Sequence, residues 1–242
     1  MKTLGVILAR GGSQGLKSKH LLPLAGRALI GHTFADVHSA RRLTYVVVSS
    51  DCPRVLALAA GNGFDVIRRP AELATGEASV QDVLLHALDF AEAHGDMKFD
   101  AVATIYGNVP VRPAGIIDEA ITLLATTKCD SVRSFCTVGK WHPNWLSKIE
   151  GDRALALIPG SIHRRQDLEP LFLHDGAIVV SSRAAMEAGR ANRGDPHAFF
   201  GTDRRAVRTE FGAAVEVDTR RDLLLAEAIL RERREALEAS AA

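Results

Sequence analysis

The residues best suited to chemistry lie in a glycine-rich, basic segment that directly follows the first apolar run of the chain, residues 4–8. Glycines let such a loop turn tightly and present backbone N–H groups to phosphate oxygens. Arg10, Lys17 and Lys19 can add positive charge for a triphosphate. The spacing matches neither the G-x-G-x-x-G dinucleotide pattern nor the G-x-x-x-x-G-K-[ST] P-loop. The segment therefore predicts a phosphate-binding loop of a different kind, with a merely solvated basic loop as the alternative.

Two carboxylates, Glu216 and Asp218, stand two residues apart near the end of the chain. Residues 215–217 have the pattern of a short strand, which would point both side chains to one face. Two like charges at one place repel unless a cation lies between them. Mg²⁺ suits hard oxygen ligands shared with substrate phosphates. The pair predicts a Mg²⁺ site, and the alternative is that Asp218 caps the last helix.

A second basic cluster contains His163, Arg164 and Arg165 on a polar segment. Arginine can bind a carboxylate through two parallel hydrogen bonds, so the cluster suits an acidic substrate. A surface salt-bridge cluster with Asp167 and Glu169 explains the same residues equally well.

The elements that must position these residues alternate along the first half of the chain. Short apolar runs, rich in valine, predict buried strands at residues 4–8, 45–49, 64–67, 101–105 and 131–136. Helical patterns separate them at residues 29–40, 53–61, 79–93 and 114–125. This alternation predicts an α/β fold, a three-layer doubly wound and mainly parallel sheet. Ligands bind such sheets at the carboxyl ends of the strands, where the first loop would lie.

The alternation of strand and helix patterns ends after residue 136. Residues 145–149 and 154–158 flank a turn and predict a hairpin. Further strands are expected at residues 176–181 and 215–217, and a final amphipathic helix at residues 220–237. We expect one domain over residues 1–242, with a small inserted lobe at about residues 141–175.

Composition narrows the class of protein. The chain has 242 residues, of which 47% are hydrophobic, enough for a substantial core. A net charge of +1 gives no sign of nucleic-acid binding. The three cysteines lack C-x-x-C spacing, which favours reduced core thiols. No apolar run approaches the roughly 18–20 residues that cross a bilayer, and the first run is too short for a signal peptide. We therefore expect no membrane association and a cytoplasmic location.

Residues 4–22 resemble the N-terminal signature of the acylneuraminate cytidylyltransferases, the CMP-sialic acid or CMP-nonulosonate synthetases. In that family the first strand leads into Ala-Arg-Gly-Gly-Ser-Lys-Gly, and a Lys-Asn pair follows. Further segments are similar to family motifs in the same order, at residues 69–74 with 78–79, 142–143, 164–170, 176–178, 199–201 and 216–218. The resemblance spans nearly the whole chain.

The resemblance implies a fold like that of the nucleotide-diphospho-sugar transferases and a Mg²⁺-dependent transfer from CTP to an acidic sugar, with release of pyrophosphate. It implies catalytic roles for Arg10, Lys19 and Asp218, and metal ligation by Asp218 and Glu216. The implied nucleotide contacts are Leu8, Ala9, Arg10, Gly11, Gly12, Ser13, Lys19, Arg69, Ala78 and Asn108. The implied acceptor contacts are Tyr106, Arg164, Arg165, Gln166, Asp175, Phe199 and Phe200, although the phenylalanines also suit an ordinary core. Family members pair through the inserted lobe, so a homodimer is expected.

Several positions depart from the family pattern. Gln14 replaces a loop lysine, His20 replaces an asparagine, and Asp175 stands where the family has asparagine. Tyr106 occupies a glutamine position, and Asn108 lies where the related CMP-Kdo synthetases have a metal-binding aspartate. The acceptor therefore stays open. It is a sialic acid or related nonulosonate in the favoured reading and Kdo or a phosphonate in the second, while a third reading is a non-catalytic nucleotide-binding homologue.

Overall fold

A seven-stranded sheet forms the centre of the protein in a computed structural model that describes residues 1–12, 15–160 and 164–241. The strands of this described part are β1 (Thr3–Leu8), β2 (Pro23–Leu24), β3 (Arg27–Ala28), β4 (Tyr45–Ser50), β5 (Asp65–Arg68), β6 (Ala101–Tyr106), β7 (Ser131–Thr137), β8 (Ser147–Glu150), β9 (Arg153–Ala156), β10 (Phe172–Ser182) and β11 (Arg204–Thr209). The α-helices are α1 (Leu29–Ser39), α2 (Pro53–Gly61), α3 (Val80–Gly95), α4 (Ile116–Thr127), α5 (Arg183–Ala191) and α6 (Arg220–Ala241).

The sheet is doubly wound and mainly parallel. Its strand order is β11-β7-β10-β6-β1-β4-β5. Only β10 runs antiparallel to its neighbours β6 and β7 among these described strands. Helices α1, α2 and α4 contribute to the core on one face, while α3 and α5 contribute to the core on the other. This three-layer arrangement confirms the predicted fold class.

Strand β1 shows why its sequence is continuously apolar. Leu4 and Val6 pack into the core beside α3, whereas Ile7 and Ala9 pack into the core beside α1 and α2. All four side chains are fully buried. A strand covered by helices on both faces has no polar side, so its apolar residues run together instead of alternating.

The segment before α6 is not the strand predicted at residues 215–217. Only Val215 forms an isolated bridge, to Val111. The Val217 amide donates to the Asn108 carbonyl at 2.8 Å, and Val215 and Val217 pack with Ala226 of α6 in a third apolar cluster. These contacts fix the segment without a regular strand ladder.

The hairpin predicted in the lobe is present. Strands β8 and β9 pair antiparallel, with Ser147 opposite Ala156 and Glu150 opposite Arg153. Every residue of both strands is exposed. None of the helices in the described part of the chain has the length and apolar character needed to cross a membrane.

Candidate active site

The candidate site lies where the sheet changes winding direction. Leu8 and Tyr106 end β1 and β6 side by side in register, and the strands that follow β1 and β6 lie on opposite sides of this point. Crevices at such switch points are the usual ligand sites of open α/β sheets. A cavity of about 580 Å³ opens here. The predicted site residues that line it are Leu8, Arg10, Lys19, Arg69, Ala78, Tyr106, Asn108, Glu216 and Asp218.

The first loop is held by hydrogen bonds to residues at and just after the end of β4 and to the segment around residue 75. The Ala9 amide donates to the Ser49 carbonyl at 3.1 Å, and the Gly11 amide donates to the Asp51 carboxylate at 2.7 Å. Arg10 reaches across the cavity and donates to the Thr75 carbonyl at 3.1 Å. Ala9 is fully buried, and its contribution is to hold the loop at the sheet. Gly11 and Gly12 belong to the turn, and Ser13 lies outside the described residues.

Two glycines allow the loops of the site to meet backbone to backbone. A Cβ atom on Gly15 would overlap the Asp218 carbonyl oxygen, and one on Gly107 would lie 2.9 Å from the Leu8 carbonyl oxygen. Any side chain at either position would push the loops apart. Glycine at both positions therefore keeps the first loop close to the carboxylates and to the end of β6.

Lys19, Asp218 and Asn108 form the polar centre of the cavity. Lys19 Nζ lies 2.5 Å from Asp218 Oδ1, and the lysine side chain is 11% exposed whereas the aspartate side chain is 62% exposed. The Asn108 amide donates to Glu216 Oε1 at 3.0 Å and lies 3.4 Å from Asp218 Oδ1. The two carboxylates thus converge as predicted, although an irregular segment carries them.

Asp218 does not cap the last helix. The amides of Asp218 and Thr219 both donate to the Asp222 carboxylate, at 3.1 and 2.7 Å, and the Thr219 hydroxyl accepts from the Asp222 amide at 3.4 Å. Thr219 and Asp222 therefore stabilise the start of α6. The carboxylate of Asp218 is left to face Lys19 and the cavity.

The donor set fits Mg²⁺. Glu216 and Asp218 supply two carboxylates, and Asn108 adds an amide whose oxygen is a further hard donor. The described residues hold no group of three His, Cys, Asp or Glu side chains that could bind a metal ion. A metal at this point would need phosphate or water oxygens to complete its coordination, as Mg²⁺ sites commonly do.

His20 and Arg69 form the buried floor near the first loop. Burial lowers the pKa of His20 to about 4, and the positive charge of Lys19 adds to this effect. The ring is therefore neutral at physiological pH. Arg69 donates from Nε to the Ser49 hydroxyl at 3.1 Å and from Nη2 to the Ser49 carbonyl at 2.9 Å, which fixes its guanidinium at the cavity wall.

Arg112 holds the loop that carries Tyr106 and Asn108. Its guanidinium is buried and donates to the carbonyl groups of Tyr106, Val109 and Ala177, and it pairs with Asp36 at 3.3 Å. Burial lowers the pKa of Arg112, and the negative charge of Asp36 opposes that shift. Tyr106 itself stays protonated, because burial first and the charge of Glu216 second raise its pKa to about 12.

The sequence did not single out Arg112, His20, Asp51 or Thr75 as site residues. Asp51 could have been found, since it follows the carboxyl end of a predicted strand, and His20 stands beside Lys19. Thr75 contributes only its backbone carbonyl. Every residue type has this group, so the sequence could not indicate it.

Asp175 is not among the residues that line the cavity. Its carboxylate accepts hydrogen bonds from the Ser134 hydroxyl at 2.5 Å, from the Ala177 amide at 3.1 Å and from the Thr209 hydroxyl. These partners lie on β7, β10 and β11, so the side chain ties three strands together where β10 is irregular. These contacts give Asp175 a structural role, and its part in acceptor binding stays a prediction.

The remaining predicted acceptor residues also lie away from the cavity lining. Phe199 and Phe200 are 1% and 7% exposed and pack into the core beside α3 and α5, as the alternative of an ordinary core expects. Their part in acceptor binding stays a prediction. Arg164, Arg165 and Gln166 are exposed in the segment between β9 and β10. Of the acceptor residues predicted, only Tyr106 lines the cavity.

Comparison with known proteins indicates the family of the chain. Residues 4–140 match the family model described as cytidylyltransferase. The chain is 30% identical over 231 residues to the N-acylneuraminate cytidylyltransferase of Streptococcus agalactiae serotype III (strain NEM316), covering 93% of this chain and 52% of that protein. It therefore spans about half the length of this relative.

Two further proteins align over nearly their whole length. The CMP-N,N'-diacetyllegionaminic acid synthase of Legionella pneumophila (strain Philadelphia 1) is 26% identical, covering 98% of this chain and 100% of its own. A solved structure of CMP:2-keto-3-deoxy-manno-octonic acid synthetase complexed with CTP superposes with a TM-score of 0.70 and 19% identity, covering 96% of this chain and 100% of that chain. The superposition shows that the fold is shared. Because the family model matches more than half of its residues, the chain belongs to the cytidylyltransferase family.

Proposed function

We propose that the protein transfers CMP from CTP to an acidic sugar of the sialic acid or nonulosonate class and releases pyrophosphate. One observation carries this proposal: Arg10, Lys19 and the Glu216–Asp218 pair converge at the carboxyl ends of β1 and β6. The names of the Streptococcus and Legionella relatives support the acceptor class.

The cations of the cavity suit the phosphates of CTP. Transfer at an α-phosphate depends on positioning and charge neutralisation, because the protein forms no covalent bond to the group transferred. Lys19 is almost buried, so its charge is only weakly screened and acts strongly on a phosphate. Arg10 lines the same cavity and would hold the same phosphates.

Glu216 and Asp218 are the proposed Mg²⁺ ligands, with Asn108 beside them. When bound, Mg²⁺ would supply neutralisation of the charge on the phosphate oxygens. The Asn108 amide already joins both carboxylates and so keeps them at one place. Arg69 and Ala78 also line the cavity, and we propose that the cytosine base lies beside them. The predicted cytoplasmic location stays a prediction.

We further propose that the protein is a homodimer joined through the lobe. Large apolar side chains are exposed on and beside the hairpin, among them Trp141, Leu146, Ile149, Leu155, Leu157, Ile158, Phe172 and Leu173. Exposed apolar surface of this extent is typical of an interaction site. Arg164 and Arg165 lie on the same lobe, so in a dimer they could serve the partner's cavity.

Pyrophosphate release tests the proposed reaction. The protein is mixed with Mg²⁺, one of CTP, UTP, ATP or GTP, and one of a panel of nonulosonates, Kdo or aminoalkylphosphonates. We expect release with CTP and at least one nonulosonate. Release with Kdo or a phosphonate alone would replace the acceptor class. Absence of both release and CTP binding in calorimetry would contradict nucleotidyl transfer itself.

A further inference from the structure

Arg133 is a cation on the candidate site's side of the sheet that no part of the proposed mechanism uses. It lies in β7 opposite Val179 of β10, and Val179 in turn lies opposite Thr104 of β6. Side chains in one register row point to the same face, which is also the face of Tyr106, two residues beyond Thr104. Arg133 and Tyr106 therefore project into the same space above the sheet.

The guanidinium of Arg133 is held by aromatic rings and not by acids. It lies 4.5 Å from the centroid of the Phe200 ring and 4.9 Å from that of Phe135. Within residues 1–12, 15–160 and 164–241 it makes neither a hydrogen bond nor an ion pair, and its Nε is buried without a partner. A buried donor left unpaired is costly. Two rings fix the plane of the guanidinium and leave its N–H edge free for a ligand.

The surroundings of Arg133 are positive. Arg204 lies 5.7 Å from the centroid of the same Phe200 ring. Burial and the charge of Arg204 lower the pKa of Arg133, and the opposing influence comes from Tyr106. Tyr106 interacts electrostatically with both Glu216 and Arg133, so its hydroxyl group lies near both side chains.

The position of Arg133 in the sheet determines which part of the acceptor its guanidinium can contact. Strands are about 4.8 Å apart, so β7 lies roughly 10 Å from β6, and the reacting hydroxyl must lie at the phosphates near Lys19. In a sugar acid whose anomeric carbon carries the carboxylate, that carboxylate stays beside the reacting hydroxyl. Arg133 therefore faces the opposite end of the sugar.

We propose that Arg133 binds an oxygen-bearing substituent at the end of the acceptor remote from the reacting hydroxyl, and so selects among acidic sugars. This inference rests on the proposed function. The substituent is either an anionic group or an acyl group, since a carboxylate and an acyl carbonyl both accept hydrogen bonds from a guanidinium edge. Arg133 is a specificity residue and takes no part in the transfer.

Kinetics test the assignment with the acceptor that the pyrophosphate panel selects. Arg133→Gln should raise the acceptor KM roughly 10- to 100-fold, the range for losing a hydrogen bond to a charged group. The KM for CTP should stay within about twofold. Arg133→Lys should also have a raised acceptor KM, close to that of Arg133→Gln, because lysine lacks the planar N–H edge of a guanidinium. Arg205→Gln is the matched control, since Arg205 is an exposed arginine paired with Asp203. Equal acceptor KM values for Arg133→Gln and Arg205→Gln would overturn the proposal.

A second readout does not depend on turnover. The ¹⁵N–¹H resonance of Arg133 Nε, identified by its loss in Arg133→Lys, is followed while acetate or, separately, N-acetylmannosamine is added. A shift with acetate supports an anionic substituent, and a shift with N-acetylmannosamine supports an acyl carbonyl. No shift with either overturns the assignment. A shift in a protein that releases no pyrophosphate with any acceptor would leave the subsite standing and reject the proposed function.

Discussion

At the scale of single residues, the site depends on contacts between side chains far apart in the sequence. Lys19 reaches Asp218 and Asn108 reaches Glu216. Residue type suggested Arg10, Lys17 and Lys19 as cations and Glu216 and Asp218 as a carboxylate pair. The resemblance to the family then favoured Arg10, Lys19 and Asp218. The hydrogen bonds of Asp175 could not be predicted, because its partners Ser134 and Thr209 belong to other strands.

Asp218 provides the sharpest residue-scale prediction. Asp218→Asn should lower kcat at least about 100-fold, because it removes a carboxylate from the proposed metal site. The side chain is 62% exposed, so the free energy of unfolding should change by less than about 1 kcal/mol. Steady-state pyrophosphate release and urea unfolding measure the two effects, with the exposed Glu235→Gln as control. A variant with normal kcat would refute the metal role.

His20 predicts a dependence of stability on pH. Burial lowers its pKa from 6.5 to about 4, so between these values the unfolded chain binds more protons than the native protein. The contribution of His20 is thus fully present above pH 6.5 and is lost as the pH falls toward 4. The loss amounts to roughly 3 kcal/mol.

Urea unfolding at several pH values between 7 and 4 measures this dependence. His20→Asn should flatten the decrease, and His38→Asn, at an exposed position, should leave it unchanged. Equal pH dependence in wild type and His20→Asn would show that another group is responsible.

At the scale of elements, apolar strands and amphipathic helices were predictable, whereas β11 and α5 were not. The apolar runs at β1, β4 and β6 indicated strands because both faces are buried. The edge strand β11 was missed, since four of its six residues are exposed and it carries three arginines. Helix α5, with nine residues, was also missed, and it includes Gly189. Glycine is needed there because Gln81 and Phe199 approach its backbone closely. Neither element has the apolar pattern that marks secondary structure in a sequence.

Arg112 carries the element-scale prediction, because one buried guanidinium holds the loop after β6. Arg112→Met should lower the free energy of unfolding by about 3–5 kcal/mol, since it leaves Asp36 and three carbonyl groups without their partner. Denaturant unfolding provides the measurement, and Arg231→Gln on the exposed face of α6 serves as the control. A loss below about 1 kcal/mol would show that the loop is held by other contacts.

At the scale of the whole molecule, a core on both faces of the sheet explains why the fold was predictable. Large apolar side chains on and beside the hairpin β8–β9 are instead exposed. The dimer proposal follows from that exposure. We expect wild type to sediment as a dimer at micromolar concentration and Ile149→Asp to sediment as a monomer, because Ile149 is 68% exposed on the hairpin and a charge there would oppose burial. Lys148→Ser, on the adjacent position of β8, should remain dimeric. A wild-type monomer would contradict the proposal.

Identification of the reaction product tests the central claim most directly. The protein is incubated with CTP, Mg²⁺ and a nonulosonate, and the products are followed by ³¹P NMR and mass spectrometry. The proposed function predicts one phosphodiester that joins CMP to the sugar, formed in equal amount with pyrophosphate, and none with UTP, ATP or GTP. Formation of free CMP without a conjugate, or an equal yield from another nucleotide, would contradict it.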